Sequence, residues 1–217
     1  MTRRWVRPVT RALDVIYALG LSILLLPLIL WVAWTIWRRD GTPILYKSER
    51  MHAPGQPFLL WKFRTMRSVA CDSGVSGGDK ADRITETGAM LRRTRLDELP
   101  QLWNILRGDV GFVGPRPPLR RYVEIYPELY AKVLSDRPGV TGLASAIFHR
   151  REEAILSQCL TPDETEAVYC RRCIPPKARL DLIYAKRRTP CSDMRLMFAT
   201  VFGTSMHDRR KGKRRDQ

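Results

Sequence analysis

The chain has 217 residues, enough for one modest domain and an appendage. Its 38 lysines and arginines against 22 acids leave a net charge of +16, so an anionic partner is expected: nucleic acid, lipid headgroups or phosphorylated substrates. Five cysteines include a single CxxC, Cys170 and Cys173. Cys159 and Cys191 make only a loose second pair, which argues against a four-ligand zinc site and for free thiols in a reducing compartment.

From the N-terminus, Val15 to Trp37 carries no charged side chain. About 20 apolar residues suffice for a helix to cross a bilayer core. The run is too long for a signal peptide and no small-residue cleavage site follows it, so it is read as a retained anchor. Trp31, Trp34 and Trp37 crowd its end like interfacial residues. Arg3, Arg4, Arg7 and Arg11 precede it, and Arg38 and Arg39 follow. Basic flanks favour the cytoplasm, so both ends are placed there. Pro27 sits near the middle, where it removes a backbone donor and bends a helix. A re-entrant helix over residues 1–39 reconciles these facts; a kinked straight span is the alternative.

A catalytic domain is expected over 40–205 and a basic, disordered tail over 206–217. Ile44 to Tyr46 and Phe58 to Phe63 flank a Pro/Gly loop from Ala53 to Pro57, which predicts a β-hairpin with a longer loop. Ser68 to Lys80 reads as a loop. Helices are expected near Thr87 to Leu91, Pro100 to Leu106, Leu119 to Leu134, Glu152 to Gln158 and Pro162 to Arg172. Arg137 to Gly142 reads as a turn and Pro175-Pro176 as a helix stop. Met194 to Phe202 is amphipathic, able to pack on the core or lie in a membrane interface. The fold class is α+β, mostly helical, with a short hairpin and amphipathic interfacial helices behind the anchor.

The chemistry concentrates in Arg92 to Pro117, RRTRLDELPQLWNILRGDVGFVGPRP. Here Asp97 and Glu98 lie between arginines, and a Gly-Pro-Arg-Pro turn closes the segment. Carboxylates among fixed cations can hold a divalent metal, and the arginines can bind phosphate. The plainer reading makes Asp97 a helix N-cap before Leu99-Pro100. Lys62 and Arg64 alternate on a predicted strand, so both project from one face, where the pair can bind a diphosphate. Arg116, stiffened between Pro115 and Pro117, suits bidentate phosphate binding. Asp109 is read as capping a turn rather than as a second metal ligand. No Walker loop, GxGxxG or HExxH is present.

Four ordered strings carry a resemblance: KFRTM at 62–66, LDELPQLWNILRGD at 96–109, FVGPRP at 112–117 and RPGVTG at 137–142. They resemble the bacterial sugar transferases, the monotopic phosphoglycosyl transferases, in their minimal form, and the likeness runs from the anchor to about Thr200. It implies transfer of a sugar 1-phosphate from a UDP-sugar to undecaprenyl phosphate at the cytoplasmic face of the bacterial inner membrane, with release of UMP. Asp97 would be the nucleophile of a covalent phosphosugar intermediate and Glu98 its partner. Both acids would hold Mg²⁺, and Lys62, Arg64 and Arg116 would bind phosphates. Many members break the re-entrant helix at Ser-Pro; here the pair is Leu26-Pro27, and Ser22 one turn earlier is the candidate to bond the freed carbonyl. After RPGVTG many members continue with Trp-Gln, whereas this chain has Leu143-Ala144-Ser145-Ala146, a difference that bears on sugar choice.

Two other readings compete. One is a membrane-anchored binding or scaffold relative without activity, against which the intact acidic pair argues. The other is nucleic-acid binding driven by charge, against which the apolar anchor and the lack of a nucleic-acid module argue. Membrane lipids are expected partners, nucleic acid is not, and a homodimer is left open.

Overall fold

The computed structural model describes residues 3–67 and 78–201. The Ser68–Lys80 loop lies mostly outside these residues, as do Cys71 and the 206–217 tail.

Two helices open the chain, α1 (Arg3–Leu24) and α2 (Leu26–Asp40), bent by 62° at Leu25. Pro27 falls in the first turn of α2, where its missing N–H costs little, so the break sits just ahead of it. Ser22 does not take the role expected of it. Its hydroxyl donates to the Ala18 carbonyl at 2.7 Å, a bond within its own turn, whereas Pro27 frees the carbonyl four residues before it, at Ile23. Among the described residues no single helix is long and apolar enough to cross a membrane, although the bent pair passes the same test together. Ile16, Leu19, Ile23, Leu24, Leu30 and Trp34 are each more than half exposed, so both helices carry apolar side chains without protein cover among the described residues.

Strands β1 (Leu45–Ala53) and β2 (Gln56–Phe63) form the expected antiparallel hairpin. Its turn is tighter than the expected five-residue loop: only Pro54 and Gly55 connect the strands, with Gly55 at φ 74. Proline followed by a positive-φ glycine is the combination a type II turn requires. Helix α3 (Glu86–Thr94) starts at Thr85, whose hydroxyl accepts the Gly88 N–H at 2.9 Å. Helix α4 (Gln101–Arg107) ends at Gly108 in the left-handed region, φ 93.

A second sheet has no counterpart in the sequence expectations. β3 (Gly111–Val113) and β4 (Gly139–Thr141) pair in parallel, so RPGVTG is half turn, half strand. Three residues per strand are too few to show a period. Tyr126 divides the expected helix of 119–134 into α5 (Arg120–Ile125) and α6 (Pro127–Val133), because Pro127 cannot continue α5 but can begin a new helix. α7 (Leu143–Leu156) starts well before the expected Glu152. Pro175-Pro176 likewise lies in the first turn of α9 (Ile174–Arg187) rather than at a stop, and a π-helical turn, Tyr169–Cys173, joins it to α8 (Pro162–Val168). Helix α10 (Pro190–Val201) packs Leu196 inward, 1% exposed, and leaves Phe198 outward.

The core is in three parts. Met51, Tyr122, Phe148, Tyr169 and Ile174 cluster under α5 to α9. Ala18, Leu60, Leu102, Ile105 and Val110 join α1 to α4 and the hairpin. Val32, Ile36, Phe63 and Leu91 join α2 to β2 and α3. The two N-terminal helices thus share two cores with the domain. Polar contacts reinforce this: Arg11 of α1 donates to the carbonyls of Ile105 and Leu106 at the C-terminal end of α4.

Strands β3 and β4 approach so closely that only glycine fits at their crossing. A Cβ on Gly139 would stand 2.2 Å from the Gly114 nitrogen and 2.5 Å from the Val113 carbonyl carbon. Both obstacles are backbone and cannot rotate away. Gly139→Ala is therefore expected to destabilise the protein by about 1–3 kcal/mol or more, seen as a lowered thermal midpoint in detergent, because overpacking must move the strands.

Candidate active site

The two acids sit on a short 3₁₀ turn, Leu96–Glu98, between α3 and α4. Arg95 enters this turn at φ 57, ψ 18 and is the only non-glycine residue at positive φ among those described. Such a conformation costs of the order of 1 kcal/mol for a residue with a side chain. Here it reverses the chain sharply enough to end α3 and present Asp97 and Glu98 together. Neither acid caps α4: Pro100 occupies the N-cap position and no side chain bonds there. The capping reading of Asp97 is thereby excluded.

The acids have different surroundings. Glu98 is tied down. Its Oε1 accepts from Lys62 Nζ at 3.1 Å and from Arg116 Nη2 at 2.5 Å, and Arg95 stands 4.0 Å from Oε2. Burial would raise the Glu98 pKa, but the charges and hydrogen bonds of Arg116 and Lys62 outweigh it and hold the carboxyl far below the usual range. Asp97 is 9% exposed, and no hydrogen bond reaches its carboxylate among the described residues. Burial raises its pKa, Lys62 opposes, and the neighbouring Glu98 charge raises it further; the net shift is upward. One acid is locked as an anion, and the other is a buried, uncommitted carboxylate.

The scaffold explains how the cations arrive. Lys62 lies near the end of β2, where burial and the Arg116 charge lower its pKa against the pull of Glu98 and Asp97. Asn104 of α4, fully buried, accepts the Trp61 N–H at 2.9 Å and donates to the Leu59 carbonyl at 2.8 Å. The same side chain donates to Asp109 at 2.9 Å, which ties Asp109 to α4 through a side-chain bond. Arg116 leaves the β3 end, where Gly114 N–H bonds Thr141 and Gly139 N–H bonds Pro115. Glu98 holds the Arg116 pKa above its ordinary value. Behind Arg116 lies Glu152 of α7, whose carboxylate pairs with Lys177 of α9 at 2.8 Å. His149, one turn earlier on α7, is kept below its ordinary pKa by burial and by Arg95.

Arg64 is not brought to this cluster. Strand β2 ends at Phe63, and the Arg64 guanidinium turns to the C-terminus of α2, donating to the carbonyls of Asp40, Gly41 and Thr42. Alternation along a strand placed it beside Lys62; the strand stops one residue too soon.

No three His, Cys, Asp or Glu side chains converge on a metal position among the described residues. Protein ligands for Mg²⁺ would be Asp97 and the second oxygen of Glu98, because the first is already bridged by two cations. Mg²⁺ commonly takes one or two carboxylates and completes its shell with water and substrate phosphates. The residues present fit that mode and not a protein-only cage.

A family model described as bacterial sugar transferase matches residues 5–207. The chain belongs to this family. It is 36% identical to the exopolysaccharide production protein PSS of Rhizobium leguminosarum, over 88% of this chain and 92% of that protein. It is 30% identical to the UDP-glucose:undecaprenyl-phosphate glucose-1-phosphate transferase of Escherichia coli, over 90% of this chain but 40% of that enzyme. Against the undecaprenyl-phosphate galactose phosphotransferase of Salmonella typhimurium it is 33% identical, over 66% of this chain and 33% of the relative. The chain thus spans well under half the length of these two enzymes.

Removing Glu98 should be costly. Glu98→Ala leaves Lys62 and Arg116, both partly buried, as neighbouring cations without a shared anion, and a loss of about 1–3 kcal/mol is expected. In the wild type, the stabilisation from its depressed pKa is fully present above the unfolded value of about 4.3 and fades as pH falls below it. Denaturant midpoints of wild type and Glu98→Ala should therefore converge toward acid; parallel curves down to pH 3 would refute the pairing.

Proposed function

We propose that the chain transfers a sugar 1-phosphate from a UDP-sugar to undecaprenyl phosphate at the cytoplasmic face of the bacterial inner membrane, releasing UMP. One observation carries this reading: within a family of sugar transferases, Asp97 is a buried carboxylate with no hydrogen bond, beside a Glu98 that two cations fix in place. A nucleophile must be free to move onto phosphorus, whereas the residue that orients cations must not be.

In the first half-reaction an Asp97 oxygen attacks the β-phosphorus. The bond from that phosphorus to the bridging oxygen breaks, and UMP leaves with the electron pair. In the second, an oxygen of the lipid phosphate attacks the same phosphorus and expels the Asp97 carboxylate. Two displacements regenerate the enzyme, which is covalent catalysis with ping-pong kinetics. Lys62 and Arg116 offset the repulsion between an anionic nucleophile and an anionic diphosphate. Mg²⁺, held by Asp97 and Glu98, would supply further charge neutralisation for the departing UMP.

The bent helix pair fits re-entry. Its outward apolar surface, the arginines at both ends and the 62° bend support an anchor that enters and leaves one membrane face. Cysteines introduced at Thr2 and Gly41 should then both react with an impermeant reagent from the cytoplasmic side. Labelling from opposite sides would establish a span instead.

The reaction is tested by UMP release from a panel of UDP-sugars with Mg²⁺ and undecaprenyl phosphate. Asp97→Asn should abolish turnover and also the adduct trapped from sugar-labelled donor; a retained adduct would remove Asp97 as the nucleophile. Wild-type turnover should fall with pH through the raised Asp97 pKa, above the ordinary value of about 3.9. Glu98→Gln removes a charge that raises that pKa, so the acid limb of its residual activity should move to lower pH.

A further inference from the structure

Among the described residues Arg50 has no partner of opposite charge. It lies on β1, and its only hydrogen bond among the described residues is from Nε to the Ser48 hydroxyl at 3.1 Å. Arg116, by contrast, is committed to Glu98. A part-buried guanidinium without a carboxylate is unusual, because the cost of removing it from water is otherwise uncompensated.

The hairpin register aims it at the site. Tyr46 pairs with Lys62, Ser48 with Leu60 and Arg50 with Phe58. Directly paired residues share a face of the sheet, so Arg50 stands on the Lys62 face, two pairs along. Its two sequence neighbours are fastened just beyond the Arg116 turn, at Pro118 and at the start of α5. The Met51 N–H donates to the Pro118 carbonyl at 3.0 Å, and Glu49 pairs with Arg120 at 2.7 Å. Arg50 is therefore held between two rivets, close enough to Arg116 and Lys62 to feel both charges. Burial and the Arg116 charge lower its pKa to about 10, which leaves it cationic at neutral pH. Arg50 thus adds, beside Lys62 and Arg116, a cation that no carboxylate pairs with among the described residues.

We propose that Arg50 is a phosphate-binding residue of the active site, completing with Arg116 a two-guanidinium clamp for the phosphate group that reacts at Asp97. The assignment rests on the proposed function. An anionic phosphate supplies the counter-charge that the protein withholds, and a planar guanidinium offers it a fixed fork of donors. Two phosphates reach this place in the reaction, that of the nucleotide diphosphate and that of the polyprenyl acceptor, and binding separates them.

Wild type, Arg50→Ala and Arg50→Lys, in detergent, are titrated with UDP in one arm and farnesyl phosphate in the other. Arg50→Ala should weaken one of the two ligands about 10- to 100-fold, the loss expected of a charge-assisted contact. Arg50→Lys should restore part of it, since charge returns but the fork does not. Loss confined to UDP assigns the donor diphosphate; loss confined to farnesyl phosphate assigns the acceptor. Thermal melts without ligand report folding separately. Unchanged affinity for both ligands in a folded Arg50→Ala overturns the assignment while wild-type UMP release keeps the function intact. A wild type that binds neither ligand and releases no UMP overturns both.

Discussion

The pairing of Glu98 with Lys62 and Arg116 is the constraint on which the rest depends. It joins three pieces of chain that are remote in sequence: the end of a hairpin strand, a 3₁₀ turn and the turn after β3. Each piece is itself positioned by backbone contacts that tolerate little variation. Asn104 fastens α4 to β2, and the glycines at 114 and 139 let β3 and β4 touch. A buried ion pair is weak evidence for stability, since desolvation offsets much of the attraction. Its value here is geometric. It fixes two cations at the distance of one carboxylate oxygen, and so leaves the neighbouring carboxylate free.

This partition also explains why adjacent residues divide the work. On one helical turn, consecutive side chains diverge by about 100°. Glu98 points to the cations, and Asp97 to a buried position where nothing bonds it. The same burial that raises the Asp97 pKa makes its ionised form poorly solvated. The strained Arg95 belongs to this arrangement, because a relaxed residue there would let α3 run on and carry the acids out of register.

Much of this was legible in the sequence. The apolar run, the Pro-Gly hairpin and the acids among arginines all carry strong local signals, and Asp97, Glu98, Lys62 and Arg116 do converge. What escaped was non-local. Two three-residue strands have no period, so the parallel pair β3–β4 could not be read. Arg64 was placed beside Lys62 by alternation, which fails where the strand stops. Arg50 lies in KSERM, an ordinary polar strand segment, and its isolation from any carboxylate exists only in three dimensions. Prolines misled in both directions: Pro127 splits a helix expected to be continuous, whereas Pro175-Pro176 starts one expected to stop.

The apolar helices are not a tether. Arg11 grips the carboxyl end of α4, and Arg64, two residues beyond Lys62, grips the carboxyl end of α2. Each half of the bent pair is thus bolted to a segment adjoining the acidic turn. The height of that turn above whatever surface the helices occupy becomes a fixed dimension of the molecule. Replacing the first forty residues with another hydrophobic sequence of equal length would remove the Arg11 contacts and lose that alignment. The bent pair is a gauge, one mechanical part with the acidic turn.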